Sequence, residues 1–173
     1  MTTSVLVTWS TRYGSTEEVA QVIASVLREA GLAVEARPVG TVESLERFEA
    51  VVLGSALYMG RLHRDARRFL SSQRDALTGR SVALFVLGPI HKDEKEWTGA
   101  RSQLDREMRK LPWLKPFAQQ MFGGRWDPAR LGFPFSLFPP LRRMPVSDAR
   151  DWDAIRAWAV RLAGALQPAA RTA

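Results

Sequence analysis

The chain has 173 residues, 46% hydrophobic and 25% charged, with no cysteine. That length supports one compact core rather than two, and the missing thiols exclude disulfides, thiolate metal sites, iron–sulfur ligation and any cysteine nucleophile. A net charge of +7, from 25 basic and 18 acidic residues, admits nucleic acid, an anionic membrane surface or an acidic partner without choosing among them.

The first strand is expected at 5–9, where the run SVLV leads into TWSTRYGSTEEVA. A helix follows at 15–30, because Val19, Val22, Ile23, Val26 and Leu27 recur on one face. Ser15 and Thr16 are its N-cap candidates, Glu17 and Glu18 suit the first turn, and Gly31 suits the position after the last. Strands are read at 33–39 and 50–55; in the second of these, Gly54 lets a ligand approach the backbone closely. A helix at 64–76 stops at Gly79, SVALFVLG forms a strand at 81–88, and the acidic run DEKE within 93–96 reads as a solvated turn. A helix at 98–111 ends near Pro112, a weaker strand occupies 116–124, and the final helix lies at 151–166. Strands apolar on both faces, alternating with helices, imply an α/β three-layer sandwich around a parallel sheet, with the ligand site at the carboxyl ends of the strands. The expected organisation is one domain over 1–167 with an insertion at 125–148, which fits neither helix nor strand period, and a flexible tail at 168–173. No run approaches the ~20 apolar residues of a spanning helix. The N-terminus lacks a basic segment followed by a long apolar one, so the cytoplasm is the expected compartment.

Segment 8–16 carries the sharpest chemical signal. It lacks a lysine, GxxxxGK[ST] and GxGxxG, which argues against a nucleoside-triphosphate loop and weakens a dinucleotide reading. Its clustered hydroxyls around a glycine suit a phosphomonoester held by neutral donors, with helix capping plus a polar turn as the plain alternative. SALYMG at 55–60 offers Tyr58 as an aromatic wall, or as an amphipathic cover for the helix beneath. Gly88, Pro89, Ile90 and His91 would form the opposite wall. With two histidines and no recognised ligand spacing, a metal site is not expected. His91 is a weak catalytic candidate, ahead of His63; ordinary polar surface and capping are the favoured reading of both.

The loop resembles the phosphate loop of the flavodoxin-like family: hydroxyl, hydroxyl, two variable residues, glycine or hydroxyl, small residue, threonine. The resemblance implies a five-stranded parallel sheet in the order 2-1-3-4-5 and an FMN cofactor. Ser10, Thr11, Gly14, Ser15 and Thr16 would hold the FMN phosphate, with Arg12 and Tyr13 at the variable positions and Arg12 adding a charge contact. Ser55, Ala56, Leu57, Tyr58 and Gly60 would lie on one side of the ring and Gly88, Pro89, Ile90 and His91 on the other. TWSTRYGST, VVLGSALYMGRLH, the long insertion and DARDWDAIRAWAVRLA are together similar to the menaquinone-dependent protoporphyrinogen dehydrogenase branch. That likeness implies electron transfer from a tetrapyrrole precursor through FMN to a quinone. The branch has an arginine and a tyrosine before the third-strand glycine; here Tyr58 and Met59 precede Gly60, so a cation suited to a propionate is missing.

Within the insertion, 131–143 crowds Leu131, Phe133, Phe135, Leu137, Phe138 and Leu141 beside Arg142 and Arg143. An apolar patch edged by arginines suits an anionic membrane where quinone dissolves, which would put the protein at the inner face of the membrane. A pocket cover, a homodimer contact and burial against the sheet are the alternatives. An FMN-dependent oxidoreductase using a quinone is the leading reading. An electron carrier with a redox protein partner comes second, and a cofactor-free binding or scaffolding domain third. Nucleic acid is not an expected partner, since no base-reading motif appears.

Overall fold

The computed structural model describes residues 2–168. Of the tail read at 168–173, all but Pro168 lies outside them. Strands β1 (Ser4–Ser10), β2 (Ala33–Pro38) and β3 (Ala50–Tyr58) come first, with α1 (Ser15–Glu29) between β1 and β2. The two-residue β4 (Arg61–Leu62) pairs antiparallel with β3 and precedes α2 (Arg64–Ser72) and α3 (Arg74–Thr78). Then follow β5 (Ser81–Leu87), α4 (Glu94–Arg109), β6 (Ala118–Phe122), β7 (Arg125–Trp126), α5 (Pro139–Arg142), β8 (Ser147–Asp148) and α6 (Trp152–Leu166). The parallel strands run β2-β1-β3-β5-β6, the expected 2-1-3-4-5 order once β4 is set aside.

Alternation along the strands builds a core on each face of the sheet. Val5, Val7 and Trp9 of β1 face α1 and α6, packing with Ile23, Leu27, Ile155, Trp158 and Leu162, while Leu6 faces the opposite layer with Leu53, Leu84, Phe69, Leu70 and Leu104. Each large side chain buried there contributes roughly 1.5–3 kcal/mol before entropy is counted. Gly54 belongs to this packing: a Cβ there would lie 2.1 Å from the Phe85 ring. The space read as a ligand's approach is therefore filled by an aromatic core residue.

Several boundaries differ from the sequence reading for local reasons. Helix α1 takes Gly14 as N-cap at φ 88°, with no side-chain cap, because Thr11 Oγ1 accepts from the Gly14 N–H at 2.9 Å and the chain turns left-handed there. Its far end is a Schellman motif, with Leu32 N–H donating to Leu27 C=O and Gly31 N–H to Arg28 C=O. Asp93 caps α4 by accepting from Lys95 N–H and Glu96 N–H, so DEKE opens a helix instead of forming a free turn. The helix read at 64–76 breaks at Gln73 into α2 and α3. Segment 55–60, beyond the strand expected at 50–55, is the end of β3 and a two-residue turn in which Met59 and Gly60 both have positive φ, the geometry that matches strand twist in a tight hairpin. The insertion is gathered at its base by β7 pairing antiparallel with β8, and 3₁₀ turns at Pro128–Arg130 and Phe135–Leu137 lie within it.

Candidate functional site

The carboxyl ends of β1, β3 and β5 surround a cleft of about 120 Å³ lined by Thr11, Arg12, Tyr13, Ser15, Ala56, Leu57, Tyr58, His63, Leu87, Gly88, Ile90, Gly124, Arg125 and Trp126. At one end stands segment 10–16. Ser10 and Thr16 are buried, and neither hydroxyl has a hydrogen-bond partner among the described residues; Thr8 Oγ1, deeper in β1, shares that condition. The first amides of α1 have no intrahelical acceptor, as at any helix start. Buried hydroxyls left without partners cost about 1–3 kcal/mol each. Donors unsatisfied beside a positive helix end fit a phosphate, so the residues present suit the phosphate of FMN.

The walls are held from behind. Leu62 N–H donates to Glu107 Oε2 at 3.2 Å, fixing the hairpin that carries Tyr58 against α4. Burial raises the Glu107 pKa, and hydrogen bonds from Lys110 and the Leu62 amide outweigh it, leaving the carboxyl below its usual range. Ser55 is buried beneath the cleft, its Oγ accepting from His63 N–H at 3.1 Å. On the other wall, Ile90 N–H donates to Glu96 Oε1 at 2.8 Å, Gly124 N–H donates to Pro89 C=O at 2.6 Å, and Ser147 Oγ–H donates to Ile90 C=O. A Cβ on Gly124 would lie 2.9 Å from Gly88 O, so the second glycine of the Gly123-Gly124 pair permits this close approach.

The structure thus brings Thr11, Arg12, Ser15, Ala56, Leu57, Tyr58, Gly88 and Ile90 to the cleft, and holds Ser10, Gly14 and Thr16 in the loop at its end. Gly60 forms the hairpin turn, and Pro89 and His91 do not line the cleft. His91 is half exposed and faces Glu96 at 3.0 Å, while His63 lines the cleft instead. Partial burial pushes the His63 pKa down; Asp65 opposes this, and Arg64, Arg12 and Arg67 reinforce it. Its Nδ1 accepts from Asp65 N–H at 3.3 Å, so the neutral ring carries its proton on Nε2. Sequence reasoning also missed Leu87, Gly124, Arg125 and Trp126; the Gly123-Gly124 pair after the fifth strand was the signal available. Among the described residues no cluster of acidic, histidine or cysteine side chains suits a metal, and no helix is long and apolar enough to cross a membrane.

The insertion is tied to α1 by charge. Arg150, whose side chain is 3% exposed, donates to Glu18 Oε2 at 2.7 Å and pairs with Asp148. Arg130 Nη1 donates to Tyr13 C=O at 2.9 Å and to Glu18 at 3.2 Å. The Asp148 carboxyl is held below its usual range by Arg150; at Glu18 burial pushes the pKa up, and Arg150 and Arg130 together outweigh it, leaving that carboxyl low as well. A depressed carboxylate stabilises the fold above its unfolded pKa, and that stability disappears as pH falls through the folded value. Wild type should therefore weaken on acidification from the ordinary values of 4.5 and 3.8 downward. Arg150→Met should cost about 1–2 kcal/mol at neutral pH, since both carboxylates are partly screened by solvent. It should also flatten the acid limb of a denaturation-versus-pH series. An unchanged limb would show that the network carries no stability.

The chain is similar to several known proteins. Protoporphyrinogen IX dehydrogenase [quinone] of Escherichia coli strain K12 is 26% identical over 111 residues, 62% of this chain and 61% of that protein. The same values hold for its counterpart in strain O157:H7, so the match spans about three fifths of these relatives. Among solved structures, a cysteine-to-alanine mutant of flavodoxin from Pseudomonas aeruginosa superposes with a TM-score of 0.58 at 19% identity, covering 95% of this chain and 99% of that one. Oxidised flavodoxin 1 from Bacillus cereus gives 0.58 at 18% identity, covering 94% and 95%. A family model described as "Flavodoxin domain" matches residues 6–134, which takes in the hydroxyl loop, both walls of the cleft and the sheet order that places them together, and the chain belongs to the flavodoxin domain family.

Proposed function

We propose that the protein is an FMN-binding oxidoreductase that takes electrons from a lipophilic donor, protoporphyrinogen IX or a related compound, and delivers them to a quinone. The observation that carries the cofactor is the pair of buried, unpartnered hydroxyls of Ser10, at the end of β1, and Thr16, in the first turn of α1. FMN, when bound, supplies the redox chemistry. Ser10, Thr11, Ser15 and Thr16 would hold its phosphate, Tyr58 and the Gly88–Ile90 wall would flank the ring, and His63 Nε2–H would offer a hydrogen bond at the cleft. The 26% identity to the Escherichia coli dehydrogenase supports the choice of donor and acceptor. The Arg61 of β4, paired opposite Tyr58, stands near the place where the branch's arginine is missing.

Purified protein should be yellow and release FMN on denaturation; a colourless protein that takes up no FMN overturns the reading. The insertion is where enzyme and carrier separate. Phe133 is 81% exposed and Leu137 67%, which supports a peripheral contact with quinone-bearing membrane on the cytoplasmic side, aided by Arg142 and Arg143. Replacing 131–143 with a short Gly/Ser loop should preserve the yellow colour and slow flavin reoxidation by a vesicle-borne quinone at least tenfold. Reoxidation by a small soluble acceptor should change less than twofold. Equal quinone rates in both proteins would remove the access role.

An electron carrier is the second reading. It is favoured by an open cavity of about 640 Å³ beside the cleft, where Arg12, Arg61, Arg64 and Arg67 stand against Asp65, a surface suited to an acidic redox protein. Turnover of protoporphyrinogen by the isolated protein would exclude it.

A further inference from the structure

We infer that the base of the insertion completes the phosphate end of the cofactor site, with the Trp126 indole N–H as a hydrogen-bond donor to the bound phosphate and Arg125 as the cation beside it. The inference rests on the proposed FMN site and adds to it two residues that lie outside the hydroxyl loop.

The topology puts them there. The last parallel strand, β6, lies at the sheet edge, beyond β3 and β5 from β1, while α6 packs on α1. The connecting chain leaves β6 at the carboxyl edge of the sheet, and the β7–β8 ribbon is held beside the first turn of α1 by Arg125 and Arg130, which reach Glu18. Arg125 and Trp126 consequently line the cleft together with Thr11, Arg12, Tyr13 and Ser15. They also line a small recess with Tyr13, Ser15 and Arg130.

Trp126 Nε1 is buried and has no acceptor among the described residues. A buried indole N–H ordinarily finds a partner, and leaving one unpaired is costly. Trp126 lines the cleft with Thr11 and Ser15 of the hydroxyl loop, the same loop whose Ser10 and Thr16 hydroxyls also lack partners among the described residues and whose end carries the first amides of α1. Unsatisfied side-chain donors thus come from both ends of the hydroxyl loop, in β1 and α1, and from the β7 residue that lines the cleft with that loop. A group that accepts from all of them has several oxygens and negative charge, which describes a phosphate monoester. The loop contains no lysine; Arg125, which pairs with Asp127 at 3.3 Å and Glu18 at 3.7 Å, brings a second guanidinium to the cleft beside Arg12.

If the phosphate holds the ribbon, ribbon order and phosphate occupancy must favour one another reciprocally. The experiment compares FMN with riboflavin, which lacks the phosphate. Trp126→Phe keeps the aromatic packing and removes the N–H. It should raise the Kd for FMN five- to twentyfold and leave the Kd for riboflavin within twofold. In the wild-type protein, hydrogen exchange across 125–148 should slow with FMN and stay unchanged with riboflavin, a measurement that needs no variant. Equal loss of both flavins would make Trp126 a packing residue, and an FMN affinity unchanged by the substitution would also overturn the assignment. Absence of FMN-specific protection in wild type would do the same even if Trp126→Phe failed to fold. Wild-type protein that binds FMN no better than riboflavin would sink the phosphate-loop reading itself. A wild-type preference for FMN over riboflavin that Trp126→Phe leaves undiminished would sink this inference alone.

Discussion

Gly54→Ala should lower stability by about 3 kcal/mol, near the upper end of ordinary overpacking. In a chain of this size that is a fall in Tm of about 6–12 °C. The added Cβ would sit 2.1 Å from Cζ and 2.7 Å from both Cε atoms of Phe85. Such a clash is mild when the neighbour can swing aside, but Phe85 is fully buried. Its ring is wedged between Phe122 and Trp158, with centroids 6.4 and 6.2 Å away. Moving it would disturb the sheet, β6 and α6 together. The check is a double-mutant cycle: Phe85→Leu alone should be destabilising through its lost volume, while in the Gly54→Ala background the same change should cost far less, since it removes the clash. Additive effects would mean that the ring relocates freely and that the glycine is not there for packing.

That pair also marks where reading the sequence falls short. Gly54 is visible as a special position, yet the reason lies on the next strand, far along the chain, and only the β3–β5 register brings Phe85 to it. Elements with several periods of signal, such as β1, α1 and α6, were legible because continuous apolar runs and helical spacing repeat there. The order of the strands was not encoded in any period; it followed from the resemblance carried by the hydroxyl loop. The Met59-Gly60 turn went unread because methionine at φ 47° contradicts the usual preference for asparagine or glycine. The ribbon at 125–126 and 147–148 is too short for alternation to show. His91 and His63 traded places for a tertiary reason: Glu96 draws His91 to the outside of its wall, while the Met59-Gly60 turn folds β4 back along β3 and brings the start of α2, with His63, to the cleft.

The largest effect on ligand binding should come from Ser10→Ala combined with Thr16→Val. Both hydroxyls are buried and lack partners among the described residues, so their removal discards polar atoms that gain nothing in the ligand-free protein. Replacing such groups with apolar atoms of similar shape is neutral or stabilising, and the ligand-free Tm should hold or rise. With FMN the outcome reverses. Each hydroxyl that donates to an ionised phosphate is worth roughly 1.5–3 kcal/mol, so losing both should weaken FMN binding roughly 10²- to 10⁴-fold. Riboflavin affinity should stay near the wild-type value, because the ring walls at Tyr58 and Gly88–Ile90 are untouched. Thr11→Val serves as the contrasting variant: Thr11 Oγ1 already accepts from the Gly14 N–H, so its loss should loosen the ligand-free loop as well as weaken FMN. Flavin fluorescence titration and thermal denaturation, read side by side, separate the cases. If the Ser10→Ala and Thr16→Val protein binds FMN as tightly as wild type, the phosphate lies elsewhere. If it loses stability without FMN, the two hydroxyls are satisfied inside the protein and their burial carries no message about a ligand.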